Sequence, residues 1–389
     1  MRFVFISEGG LFLKQPGHAA VEIESPFARE AIDRSTSRNN RQAWKGQGRD
    51  EASHFSAQAV WGKQTARAET DHPLMRAVTR SSIPDELFYA LAMSASSGLF
   101  RYNLQTMEEH RLFHRQDFEA CGLSCDQKNG QIVFSSRNAD KLGKLGVLDD
   151  STKRRSQITD GDGHDSNPFH DPSSPNTVYF QTSGVARDEN GNIVALGPAS
   201  IQRLNQNSGE MTTILEDEHL DFLQPKTDVN GALYYIRRPC GSREGLPLHL
   251  QLKAFFLLPF HLASAVFGFL DAFTRMFAKR SLRPAGGGRE IPQQRSRFAT
   301  FHDTAIRMEK ILKQGSQVDD TVQIIPSTWE LVRRDPSGDE RVLAKHTVSF
   351  DIGAQGEIIY SDGLRVWRLE DGTAVKLHAG QVIQSVVIV

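Results

Sequence analysis

Gly356-Glu357-Ile358-Ile359-Tyr360-Ser361-Asp362-Gly363 runs into Leu364-Arg365-Val366-Trp367-Arg368-Leu369, then Asp371-Gly372, then Ala374-Val375-Lys376-Leu377. An apolar run ends in an Asp-Gly pair. An alternating run follows, ends in a second Asp-Gly pair, and gives way to a third run. Alternation of period two turns one face toward a core, and Asp-Gly supplies the turn between strands. The stretch predicts antiparallel strands joined by hairpins.

The phrase recurs upstream. Gln131 to Ser136 leads to Leu145-Gly146-Val147-Leu148 and then to Arg155-Ser156-Gln157-Ile158-Thr159-Asp160-Gly161. Asn176 to Phe180 leads to Ala199 to Leu204, the turn Asn207-Ser208-Gly209, and Met211 to Leu215. Gly231 to Ile236 opens another unit, and Glu86 to Leu91 with Gly98 to Leu104 an earlier one. Uninterrupted units run about 35 to 50 residues, the period of four-stranded propeller blades.

The residues from Ile158 to Phe180 resemble the TolB-like propeller family. Ile158-Thr159-Asp160-Gly161 is followed by Asn167-Pro168, Asp171-Pro172 and Val178-Tyr179-Phe180. Asp221 to Tyr235 repeats the phrase, with Pro225 and Asn230-Gly231-Ala232-Leu233. Ser173-Ser174-Pro175-Asn176 stands where the family has a Ser-Pro-Asp-Gly-like turn. The resemblance implies an all-β, six-bladed propeller and covers about two-thirds of the chain. It leaves the ligand open, because propellers serve many functions.

The ends of the chain predict how the ring closes. Ser385 to Val389 reads as an innermost strand with no continuation. Phe3 to Ile6, Leu11 to Lys14 and Ala20 to Glu24 read as three strands lacking an inner one. Together they complete one blade and remove two exposed sheet edges. Residues 1–389 thus form a single propeller with two interruptions. One is a long polar loop, 29–80, with the second blade's inner strand expected near Ala59-Val60-Trp61-Gly62. The other is an insertion, 239–322, after which Thr328 to Arg333 resumes as hairpin partner of the strand ending at Arg238.

Net charge is −1, which argues against a chain-wide nucleic-acid footprint. From Pro239 to Gly315 there are 12 Lys or Arg and 5 Asp or Glu, so a basic insertion sits on an acidic body. The three cysteines show no disulfide-framework spacing, and the apolar run after Met1-Arg2 is too short for a secretory leader. A cytoplasmic location is the expectation.

Within the insertion, Ala254 to Leu270 carries no charge. Both of its ends must return to one blade, which excludes a single membrane crossing. After Pro259, the polar or small residues His261, Ser264, Gly268, Asp271, Arg275 and Lys279 fall three or four apart, one narrow helical stripe. Phe255, Phe256, Leu258, Phe260, Leu262, Val266, Phe267, Phe269, Leu270, Phe273 and Phe277 supply the wide apolar face, with Arg275, Lys279 and Arg280 at one end. That pattern predicts an amphipathic helix lying in the plane of an anionic membrane surface. A helix packed on protein, a dimer contact and a re-entrant or spanning hairpin are the alternatives. A second amphipathic piece, Phe301 to Leu312, completes the insertion.

Asp160, Asp162, His164, Asp165 and His170 crowd oxygen and imidazole ligands into one stretch, without EF-hand spacing. They are candidates for a metal site, and otherwise form a turn-rich inter-blade loop. No nucleophile elbow or phosphate loop is present, and no catalytic residue or cofactor is assigned. The chain reads as a non-enzymatic propeller that binds a protein or peptide partner and docks peripherally on a membrane. The alternative is a metal-dependent, lyase-like carbohydrate-active enzyme with its site in the channel.

Overall fold

The computed structural model describes residues 1–34, 37 and 73–389, other than 94–96, 117, 138–141, 150–153, 241–297, 302–303, 308–321, 371 and 381. Six four-stranded antiparallel sheets account for nearly all of it. The first blade uses β1 (Phe3–Ser7), β2 (Gly10–Lys14) and β3 (Val21–Glu22), and a short helix occupies 26–34. The second runs β4 (Leu74–Arg80), β5 (Glu86–Ala92), β6 (Ser97–Asn103) and β7 (Glu109–Arg115). The third runs β8 (Glu119–Cys125), β9 (Ile132–Arg137), β10 (Gly143–Leu148) and β11 (Arg155–Gln157). The fourth runs β12 (Gly163–His170), β13 (Thr177–Arg187), β14 (Ile193–Asn205) and β15 (Met211–Leu215).

The fifth blade holds the insertion. It pairs β16 (Leu220–Thr227) with β17 (Leu233–Pro239), and β17 with β20 (Glu330–Arg334), then β21 (Glu340–Lys345). Between them β18 (Phe298–Phe301) and β19 (Thr304–Arg307) form a separate hairpin. The sixth blade is β22 (Ser349–Ile352), β23 (Ile358–Ser361), β24 (Arg365–Glu370) and β25 (Thr373–Ala379). The last strand, β26 (Ile383–Ile388), pairs with β1 from Phe3↔Ile388 to Ser7↔Ile383 and becomes the first blade's inner strand. The ring is therefore closed by its two ends, as their strand patterns predict.

The core lies in the seams between blades rather than at one centre. Val4, Ile6 and Leu11 of the first blade pack with Leu87, Tyr89 and Phe100 of the second. Phe3, Phe5 and Val386 pack with Ile359 and Val366 of the sixth. Middle strands are covered by neighbouring blades on both sides, so β10 is buried along its whole length. In the opening hairpin Gly363 takes φ 87°. There Asp362 Oδ1 accepts from Leu364 N and Arg365 N at 2.9 and 2.7 Å, the turn geometry for which Asp-Gly is suited.

Antiparallel order gives the ring two unlike faces. Where the inner strands end, every connection is six residues or shorter; this is the tight face. Where they begin, the chain makes both long excursions, between β3 and β4 and between β17 and β20; this is the loop face. The roots of the insertion are pinned. Cys240 N donates to His219 O at 2.7 Å, and the Arg238 guanidinium lies 4.5 Å from the Trp329 ring. Ile325 and Trp329 are buried with Val348 and Leu364. Arg237↔Glu330 pairing confirms that both roots belong to one blade.

Three expectations are corrected. The polar loop 29–80 starts inside the 26–34 helix and ends in β4, which is the second blade's inner strand; Ala59 to Gly62 lies outside the described residues. Residues 298–301 and 304–307 are paired strands, so the second amphipathic piece begins in extended structure, and 308–312 lies outside the described residues. His164 and Asp165 are in strand β12, and only 158–162 forms the inter-blade loop. Among the described residues no helix is long and apolar enough to cross a membrane.

Ile383, Val386 and Val387 are 0, 1 and 5% exposed. A fully buried aliphatic side chain contributes roughly 1.5–3 kcal/mol. Truncation after Val382 is expected to cost about 5 kcal/mol or more, seen as a large fall in calorimetric melting temperature. A peptide of residues 382–389 added in trans restores part of it. An unchanged melting temperature would mean that the ring does not depend on this closure.

Candidate functional site

At the tight face the inner strands end around the channel mouth. β22 reads Ser349-Phe350-Asp351-Ile352, and Asp351 is a carboxylate only 4% exposed. Lys226 from the fifth blade donates from Nζ to Asp351 Oδ1 at 2.6 Å. Arg80 from the second blade brings Nη1 to 4.0 Å from Oδ2, and Ile388 N of the first blade donates to Oδ2 at 2.8 Å. Burial by itself raises a carboxyl pKa. Here Lys226, Arg80 and the donated hydrogen bonds outweigh it, and Asp351 lies below the usual carboxylate range. Four blades thus meet on one charge. Lys226 Nζ also sits 5.4 Å from the Phe350 ring centroid and 5.9 Å from that of Phe169.

Polar links cross every seam at this mouth. Arg2 pairs with Asp85 between blades one and two. Gln127 Nε2 donates to Arg80 O at 3.4 Å between two and three, and Lys128 Nζ to Pro172 O at 3.1 Å between three and four. Thr227 Oγ1 donates to Asp171 Oδ1 at 3.1 Å between four and five. Asp351 serves the last two seams through Lys226 and Ile388. Deeper in, Asn167 and Gln224 take φ 48° and 50°, each just before a proline in a bulge of an inner strand. Proline has no N–H for the ladder, and a bulge accommodates that loss. Gln181 Oε1 accepts from Asn167 Nδ2 at 2.9 Å and from Gln224 N at 3.0 Å, tying the two bulges together.

The five metal candidates are spread over separate tasks. Asp160 and Asp162 are exposed; Asp160 caps Gly161 N at 2.8 Å, and Asp162 accepts from Arg187 Nε at 3.1 Å. His164 is buried, and its Nδ1 accepts from Gly143 N at 2.9 Å across a seam. Asp221 does the same for Ala199 N at 2.9 Å one blade on. Both acceptors stand four residues before the inner-strand proline, so His164 fills a repeated structural position. Asp165 accepts from Thr182 Oγ1 at 2.6 Å. Among the described residues no three His, Cys, Asp or Glu side chains stand together so as to hold a metal ion. The membrane-contact residues from Phe255 to Arg280 all lie outside the described residues.

The residues that sequence reasoning missed are Arg80, Lys226 and Asp351. Arg80 ends the stretch assigned to a loop. Asp351 carried one faint signal, a lone acid inside Ser349-Phe350-Asp351-Ile352. The cysteines Cys121, Cys125 and Cys240 form no disulfide.

His170 ends β12 at the same mouth. It is buried, and its Nε2 has no hydrogen-bond partner among the described residues. Burial pushes its pKa down to about 4, against the opposing pull of Asp126 and the Gln131 carbonyl. An unfolded histidine titrates near 6.5. Between those values the unfolded chain binds the proton and the folded one does not, so folded stability falls as pH drops. From pH 7 to 4.5 this group is expected to cost about 2–3 kcal/mol. Denaturant melts of wild type and His170→Gln over that range test it. Parallel pH profiles would contradict the assignment.

No family model and no curated protein matches the chain. Similar solved structures are numerous. TolB from Acinetobacter baumannii matches at 10% identity and TM-score 0.49, over 99% of this chain and 65% of that one. A chain in a nidogen/laminin complex matches at 8% identity and 0.51, over 99% and 97%. An oligogalacturonate lyase in complex with manganese matches at 12% identity and 0.42, over 78% and 64%. This chain spans about two-thirds of the TolB chain's length. At such identities the likeness concerns fold alone: the protein is a six-bladed β-propeller.

Proposed function

We propose that the chain is a propeller scaffold that docks peripherally on the cytoplasmic side of a membrane through its insertion and holds a protein or peptide partner on the ring. The observation that carries this reading is the asymmetry of the two faces. Both excursions, including the basic insertion with its uncharged 17-residue run, root on the loop face. Loops on a rigid ring are where binding functions accumulate. Because β17 and β20 are adjacent, the insertion can be only peripheral or cross an even number of times. Docking from the loop face leaves the tight face, with its charged mouth, open to a partner. A chain of the same fold occurs in a nidogen/laminin complex.

Co-sedimentation with vesicles separates this reading from its competitors. Full-length protein is expected to pellet with anionic vesicles and much less with neutral ones, since each basic residue near such a surface contributes about 1 kcal/mol. Deleting residues 254–279 abolishes pelleting and leaves the propeller's melting transition in place. A deletion variant that no longer folds, or full-length protein that ignores vesicles, overturns the membrane assignment.

A further inference from the structure

We propose that the tight-face mouth is an oxyanion site for a ligand carboxylate, with Arg80 and Lys226 as its two arms. This rests on reading the ring as a binding scaffold and names the chemistry it recognises.

Two cations share one carboxylate, so the cluster keeps one positive charge in excess. Each cation also keeps donors to spare. Of the three N–H groups of Lys226, one is spent on Asp351, at 2.6 Å. Arg80 donates from Nη2 to Ile352 O at 3.1 Å, and its remaining N–H groups have no hydrogen-bond partner among the described residues. Both side chains are reachable from solvent, at 18% and 28% exposure, whereas Asp351 beneath them is sealed.

Asp351 therefore works as a tether. It fixes two flexible side chains at the mouth before a ligand arrives, and ordering them in advance removes much of the entropic cost of binding. A guanidinium presents parallel donors that match a carboxylate, and charge-assisted bonds of this kind are the strong ones. The single uncompensated charge and the flat fork suit one planar carboxylate group better than a tetrahedral phosphate that gathers two charges on one centre. The next carboxylate along the mouth, Asp171, is taken up with Thr227 and Ser173. Phe169, half-buried beside the ammonium, adds an apolar wall for the carbon chain that bears the ligand's acid.

The probes are a rhodamine-labelled peptide of alternating Glu and Ser, the same peptide with Gln for Glu, and free glutarate and inorganic phosphate as competitors. Fluorescence anisotropy is read on the full chain at low and moderate salt. The Glu peptide is expected to bind, the Gln peptide at least tenfold more weakly, and affinity to fall with salt. Displacement by glutarate identifies a site open to free acids, and binding of the peptide alone identifies a peptide site. Either outcome supports the proposal. Arg80→Gln, which leaves the Lys226–Asp351 pair intact, is expected to weaken binding at least tenfold while the protein stays folded, with a lowered melting temperature. If that variant does not fold, Arg80→Lys serves, keeping the charge but losing the fork, with an intermediate loss. Equal binding of the Glu and Gln peptides, tighter displacement by phosphate than by glutarate, or no effect of a folded Arg80 variant overturns the site. Vesicle binding that persists in that case overturns the oxyanion site alone and leaves the scaffold reading standing.

Discussion

A carboxylate that is 4% exposed must be answered by charge and hydrogen bonds or it does not stay ionised. At Asp351 the answer comes from three other blades: an ammonium from the fifth, a guanidinium from the second and a backbone N–H from the first. None of these partners is local in sequence. Each is in place only when its blade is in place, so the charge is satisfied only in the closed ring. Removing one member of such a buried cluster leaves the others unpaired, which typically costs about 3–5 kcal/mol. The ring's closure and the chemistry of its mouth therefore rest on the same residues.

Apolar seams supply the bulk of the folding energy, but they are forgiving about register. Directional bonds are not. The tight-face links cross all six seams, and each joins an inner strand or its turn to the next blade. The bulges at Asn167 and Gln224 add a second layer, coupled through the Gln181 amide. A strained backbone at two successive blades is held by one side chain. The loop face is freer. Its connections can lengthen without disturbing the inner ring, and both long excursions are found there.

The middle and outer strands were legible in the sequence because their apolar alternation and Asp-Gly turns are local signals. Pairing of Thr328 to Arg333 with the strand before the insertion was legible for the same reason. Inner strands other than β26 were not. β12 and β16 contain proline, a left-handed residue and polar side chains, all of which argue against strand in isolation. β4 hid at the end of a polar stretch, and β22 is four residues long. Asp351, Lys226 and Arg80 are charged because they border a channel, a fact that exists only once the ring is closed. The structural task of His164 could be read from a comparison available in the sequence. His164 and Asp221 both stand four residues before a proline, and in the structure both accept a backbone N–H from the preceding blade.

The central claim is that Asp351 couples four blades, and hydrogen exchange tests it most directly. Asp351→Asn keeps the shape and removes the charge. Backbone amides of β22, β26, β16 and β4 are expected to exchange faster together in this variant, while those of β8 and β12 on the far side of the ring change little. Faster exchange confined to β22 and its hairpin partner β23 would show that Asp351 is a local contact and would contradict the account.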